Sequence, residues 1–158
     1  LKLLQESLTI YRQQGNQRGE GETLTLLGDA YFVLNDHPKA LEILQQALTL
    51  NRVTRNRQFE GRTLNVIGDL RNSLNQYPAA LTLFEQALSL RRSVKDDRGE
   101  ADSIASFGNV YERQGQYDRA LERYQQALKI FRRVGDRWGE VLVLNFMGRV
   151  YRLQGRYD

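Results

Sequence analysis

The chain has 158 residues, no cysteine, one histidine and a net charge of +4, from 23 basic and 19 acidic side chains. Disulfide frameworks and thiol-based zinc or nucleophile chemistry are thereby excluded, and charges so balanced and interspersed argue against a nucleic-acid surface. The longest apolar runs, such as Val141–Leu144, fall far short of a membrane span.

A period of 40 residues runs through the chain without a gap. With Ala101–Glu140 as template, Gly108, Ala120-Leu121, Ala127-Leu128 and Glu140 fall on Gly68, Ala80-Leu81, Ala87-Leu88 and Glu100 one period earlier. A further step back reaches Gly28, Ala40-Leu41, Ala47-Leu48 and Glu60, and a step forward reaches Gly148 and Tyr151. Periods of this size belong to solenoids, which lengthen by adding hairpins rather than by enlarging one core. The expected fold is all-α, a right-handed α-solenoid of antiparallel helix pairs with about eight helices. Its expected divisions are a half repeat over 1–20, full repeats over 21–60, 61–100 and 101–140, and a half repeat over 141–158. Because Leu1 stands in mid-pattern, the chain is expected to be a fragment in which a targeting signal would not be visible; a cytoplasmic location is the expectation.

Leu1–Gln14 reads as an amphipathic helix, with Leu4, Ser7 and Leu8 in phase with Leu44, Ala47 and Leu48, closed by Gly15 in a left-handed cap. Asn16, Asn56, Asp96 and Asp136 recur at one phase, where a side-chain oxygen accepts from the free amides of a helix start. Glu20, Glu60, Glu100 and Glu140 follow, setting a carboxylate against the positive end of each helix dipole. The helices that begin there (the A helices) carry Leu24, Leu27, Gly28 and Tyr31 on one stripe and stop at Asn35, Asn75, Gly115 and Gly155. Pro38 and Pro78 suit the first position of the B helix that follows. Helix B presents Ala40, Leu41, Leu44, Ala47 and Leu48, and the B helices end near Val53, Val94 and Val134. Links this short force antiparallel pairs. A mid-helix glycine costs about 1 kcal/mol against alanine, so Gly28 and its repeats imply that A and B approach closely across Ala40 and Ala47.

Leu24, Leu27-Gly28, Tyr31, Ala40, Leu44 and Ala47 together resemble the tetratricopeptide repeat, over the whole chain. The usual repeat of that family has about 34 residues and a proline after helix B. Both features are replaced here, by longer helices and a Gly135-Asp136-Arg137 turn. The longer form is similar to the Leu-Gly-Asn (Pins/LGN-type) variety and its bacterial relatives, most closely at Phe107-Gly108-Asn109 and Arg137-Trp138-Gly139-Glu140.

Apolar residues occupy more than half of the A-helix circumference, since Leu26, Val66, Leu70, Phe146 and Val150 join the main stripe. The remaining narrow row reads Glu22, Thr25, Asp29 and Phe32, then Arg62, Asn65, Asp69 and Asn72. It continues through Asp102, Ala105, Asn109 and Glu112 to Leu142, Asn145, Arg149 and Arg152. Stacked repeats would line a concave groove with this row. Its asparagines can both donate to and accept from a peptide backbone, and its charge drifts from acidic to basic. The resemblance implies that partner segments bind here, with Asp29, Asp69, Asn109 and Arg149 at the position after the glycine; taken singly, each residue reads as an ordinary solvated one.

His37 has Tyr77, Tyr117 and Tyr157 at its phase and reads as a turn-packing residue, not an acid, base or ligand. Arg71 stands where the other copies have tyrosine; its stem is expected to cover the gap. Arg91-Arg92 and Arg132-Arg133 read as a solvated face at helix ends, and Trp138 as packing between repeats. No phosphate-cradling loop, metal-ligand spacing or carboxylate pair occurs, so no catalysis, metal or cofactor is expected. Asp29 and Asp69 on the row argue against an RNA-reading repeat. The leading expectation is a scaffold that holds a protein or peptide segment in the groove, with no membrane or nucleic acid involved. The alternative is a spacer or self-stacking segment. Four periods make 160 residues, two more than the chain has, so Arg156-Tyr157-Asp158 of one copy would meet the head of another in register, with Leu1, Leu4 and Leu8 facing Leu142, Phe146 and Val150.

Overall fold

A computed structural model of the chain describes residues 1–155. Among them are eight α-helices and no strand: α1 (Lys2–Gln13), α2 (Gln17–Val33), α3 (His37–Val53), α4 (Arg57–Ser73), α5 (Tyr77–Ser93), α6 (Asp97–Arg113), α7 (Tyr117–Val134) and α8 (Arg137–Leu153). The chain divides inside α5 into two compact units, Leu1–Leu90 and Arg91–Asp158. In the first, α1 packs on α2, α2 on α3, α3 on α4, and α2 also on α4. In the second, α6 packs on α7, α7 on α8, and α6 on α8. Helices adjacent in sequence are therefore adjacent in space within each unit, the local order of an α-solenoid.

Four A helices start as their sequence dictates. Asn16, Asn56, Asp96 and Asp136 accept hydrogen bonds from the amides of Gly19, Phe59, Gly99 and Gly139 at 3.0, 3.5, 3.0 and 3.1 Å. Helix α3 begins one residue earlier than the proline implied: Asp36 accepts from the Lys39 amide, and Pro38 is the second residue. Gly15, Asn35, Asn75, Gly115 and Gly155 all take positive φ. Arg55 and Lys95 do so too, at φ 53° and 56°, where the equivalent turns have Gly15 and Gly135. A Cβ in this conformation costs about 1–2 kcal/mol, part of which glycine returns through the greater freedom of its unfolded chain. Arg55→Gly and Lys95→Gly are each expected to raise stability by roughly 0.5 kcal/mol, read as a higher urea midpoint at unchanged m.

The glycine seam is real, and its partner is a side chain. A Cβ on Gly28 would lie 2.5 Å from Leu44 Cγ, on Gly68 2.4 Å from Phe84 Cε1, and on Gly108 2.4 Å from Tyr124 Cε1. Ala40, Ala47, Ala80, Ala87, Ala120 and Ala127 are completely buried alongside. Gly148 is the exception, with nothing within 4 Å of its Cβ direction.

The turns from a B helix to the next A helix carry two further kinds of contact with a separation of eight residues, the first in all four and the second in three. One is an ion pair made four times: Arg12–Glu20, Arg52–Glu60, Arg92–Glu100 and Arg132–Glu140, at 2.7 to 2.9 Å. The arginines are more than half exposed, so each pair contributes less than about 1 kcal/mol. The glutamates thus have a partner as well as a dipole. The second contact is a pairing by size. Tyr11, Arg91 and Phe131 lie over Gly19, Gly99 and Gly139, each filling the space a Cβ would need. In the remaining turn the same two phases hold the smaller Asn51 and the larger Phe59.

Arg91 therefore does not belong to a solvated face. It is 4% exposed, with Nη1 3.4 Å from Asp102 and 4.0 Å from Asp96, because its phase points into the turn rather than outward. Trp138 departs in the opposite sense: on the first turn of α8 it is 71% exposed, and Arg18, Gln58 and Arg98 at the same phase are exposed too. His37 is half-buried with its ring centroid 5.8 Å from that of Phe32, as a turn-packing residue should be. Arg71 is half-buried and donates to Gln76 Oε1 at 2.8 Å. Arg156-Tyr157-Asp158, on which head-to-tail register leans, and Tyr157 at the His37 phase lie outside the described residues.

Candidate functional site

In the first unit the A-helix row lies partly below the surface. Thr25 is fully buried: its Oγ1 is 2.8 Å from Thr63 Oγ1, and Asn51 Nδ2 donates to both hydroxyls at 3.1 and 3.2 Å. The reason is that α2 and α4 pack side by side, which turns position 25 toward α4 and away from solvent. Asn65 and Asn72 are 7% and 6% exposed, and Asn65 Nδ2 donates to Asp69 Oδ2 at 3.4 Å. Four of the five other predicted positions there are polar or charged and remain accessible. Glu22 is half-buried, accepting from Asn56 Nδ2 at 2.8 Å and Arg18 Nε at 3.2 Å. Asp29 and Arg62 form a 3.4 Å ion pair with side chains 37% and 44% exposed, and Asp69 is half-buried. Phe32, half-buried, rests on a cluster of Val66, Ile67 and Leu70. Beside Asp29 a depression of about 570 Å³ is lined by Leu1, Leu26, Ala30, Val33 and Leu34.

In the second unit Ala105 is buried, and Asp102 is nearly half exposed against Arg91. Burial raises the Asp102 carboxyl above its ordinary pKa, while the guanidinium groups of Arg91 and Arg98 pull it back down. Beyond it, one network joins three predicted residues. The Tyr124 hydroxyl, from α7, lies 2.7 Å from Asn109 Oδ1 and 2.8 Å from Glu112 Oε2. Arg149, from α8, donates to both oxygens of Glu112, Nε to Oε1 at 2.5 Å and Nη2 to Oε2 at 2.8 Å. Burial pushes the Tyr124 phenol well above its ordinary pKa and the bond to Glu112 adds to this; the same carboxylate raises Arg149. The Arg149 guanidinium also lies 5.0 Å over the Phe146 ring. Leu142, Asn145, Arg149 and Arg152 are exposed.

Asn51, Arg91 and Tyr124 were not among the predicted positions, although all three touch residues that were. Their signal was a break in the period: Asn51 and Arg91 share a phase with Tyr11 and Phe131, and Tyr124 with Leu44 and Phe84. Among the described residues no group of three His, Asp or Glu is set to hold a metal, and no helix is long and apolar enough to cross a membrane.

This is a helical-repeat fold whose A helices carry a partly accessible polar row. The chain matches the tetratricopeptide repeat over residues 1–52 and 100–158, and a second description of the same repeat over 61–94. It belongs to the tetratricopeptide repeat family, whose repeats generally mediate contacts between proteins. Among solved structures it is similar to BtubC (BKLC) from P. vanneervenii, with a TM-score of 0.77 and 17% identity over 97% of this chain. It spans 65% of that chain, and at this identity the likeness is one of fold, an all-α solenoid. No curated protein matches it.

Proposed function

We propose that the A-helix face of each unit binds a segment of a partner protein. The observation that carries this is the contrast along single helices. On α2 and α4, Leu24, Leu27 and Leu64 are 2 to 4% exposed, whereas Asp29 and Arg62 keep 37 and 44% of their side-chain surface in solvent. In the first unit the accessible row is mainly acidic (Glu22, Asp29 and Asp69, against Arg62) and favours a basic stretch of partner. In the second, Asn109, Asn145, Arg149 and Arg152 favour an acidic one, with Asp102 held back by Arg91. Thr25 acts from beneath, tying α2 to α4 through Thr63 and Asn51, and Asn65 and Asn72 are buried beneath the accessible groups. The 40-residue spacing and Phe107-Gly108-Asn109 support the Leu-Gly-Asn variety of the repeat as the nearest type.

The test uses short fluorescent peptides graded in charge, with anisotropy as the readout. Asn109→Ala combined with Arg149→Glu is expected to weaken binding of the acidic peptide by at least about tenfold while helicity stays unchanged. Equal binding by wild type and variant would remove the face from consideration.

Self-stacking is a second reading, in which Leu4 of a second copy would stand beside Gly148 as Leu44, Phe84 and Tyr124 stand beside the other three glycines. Val141 weighs against it, because Gly21, Gly61 and Ala101 keep that position small elsewhere. The groove is the stronger reading.

A further inference from the structure

We propose that Tyr124 is a positioning residue for the binding face of the second unit: its hydroxyl, passing through the gap left by Gly108, fixes Glu112, which in turn holds Arg149 in one orientation as the presented cation. This rests on the reading of the A-helix face as a binding surface.

The argument begins with what a glycine permits. Tyr124 lies on α7, the layer behind α6, and its ring passes where a Cβ on residue 108 would stand, 2.4 to 2.9 Å from the ring carbons. The residue is completely buried, and its oxygen reaches two row residues of α6, Asn109 and Glu112. Leu44 and Phe84 occupy the same seam position without a hydroxyl.

What the hydroxyl meets there is unusual for this chain. The Glu112 side chain is only 9% exposed, and a carboxylate so enclosed is costly unless its oxygens are occupied. Both are: Arg149 supplies two parallel N–H donors and Tyr124 a third contact. The phenol has one hydrogen to give, and the charged carboxylate is the better acceptor. Turning the Asn109 amide so that its NH₂ faces the phenol oxygen satisfies both partners and leaves the Asn109 carbonyl pointing outward. Glu112 is thus a holder and not itself the contact for a partner. Arg149 keeps 43% of its side-chain surface, with Nη1 directed away from Glu112.

The comparison within the chain shows what the hydroxyl adds. In the first unit the corresponding seam residue is Leu44, and Phe32 occupies the place of Glu112. The charged pair on that face, Asp29–Arg62, has a single 3.4 Å contact and both side chains more than one third exposed. An arginine held bidentately loses less freedom on meeting a partner carboxylate than one that must first be ordered.

Tyr124→Phe tests this, because Phe84 shows that the seam accepts a phenylalanine ring. The first readout needs no partner: the side-chain Nε–H resonance of Arg149 in the NMR spectrum, identified by its loss in Arg149→Lys. In the wild type it should be resolved and slow to exchange with solvent. In Tyr124→Phe it should collapse toward the position and exchange rate of a free arginine, with backbone amides outside the seam unmoved. Glu112→Gln should have the same effect. An Arg149 signal unchanged in Tyr124→Phe would overturn the proposal. The second readout is anisotropy with a glutamate-rich peptide, for which Tyr124→Phe is expected to lose about fivefold in affinity and Arg149→Ala more. If the Arg149 signal moves but the wild type does not bind that peptide, the relay stands and the binding reading of this face fails.

Discussion

The double variant Phe131→Ala with Gly139→Phe should be more stable than the two single variants predict when added together. Phe131 is 1% exposed and its ring lies against Gly139, so truncation to alanine alone is expected to cost about 3–5 kcal/mol. Gly139→Phe alone drives a ring into occupied space, 2.4 Å from Phe131 at the first carbon, and should cost about 1–3 kcal/mol or more. Together they recreate the size order of the second turn, where the smaller Asn51 and the larger Phe59 stand at these two phases. The coupling should be about 1–3 kcal/mol in favour of the pair, read from urea denaturation of the four proteins of the cycle. Alanine is chosen over asparagine because Asn51 depends on the hydroxyls of Thr25 and Thr63, and Ala105 and Val143 stand at those phases in the second unit. Strict additivity would mean that the apparent matching of sizes is accidental.

The second large effect is a reversal of sign between two glycines of one phase. Gly108→Ala places a methyl 2.4 Å from Tyr124 Cε1, and the ring cannot move far because it is buried on all sides. A loss of about 1–3 kcal/mol is expected, less the gain of about 1 kcal/mol in helix propensity. Gly148→Ala meets nothing within 4 Å, so only the propensity term remains and stability should rise by roughly 0.5–1 kcal/mol. Thermal melts of the two variants would decide it. If both fall, the space beside Gly148 is occupied in solution, as a stacked second copy would occupy it.

The candidate site was legible only in outline. Asp29, Arg62, Asn109 and Arg149 came out accessible because the 3.6-residue period alone assigns them to the face opposite the apolar stripe. Thr25, Asn65 and Asn72 share that period but are buried, because the period does not state how tightly the next A helix lies alongside. Arg91 was misjudged for a related reason. Its charge suggests solvent, while its depth depends on what lies across a turn, Gly99 and two carboxylates.

By itself the sequence determined the helices, their caps, the pairing of neighbours and the repeat family, because each is a local matter. An Asn or Asp accepts a bond from an amide three residues on, and a short link leaves an antiparallel hairpin no alternative. Only the tertiary structure decided which polar groups face a partner and which are absorbed inside. That outcome depends on distances between residues far apart in the chain. The route of the Tyr124 hydroxyl past Gly108 to Glu112 and Arg149 requires three helices at once, and no single repeat contains it.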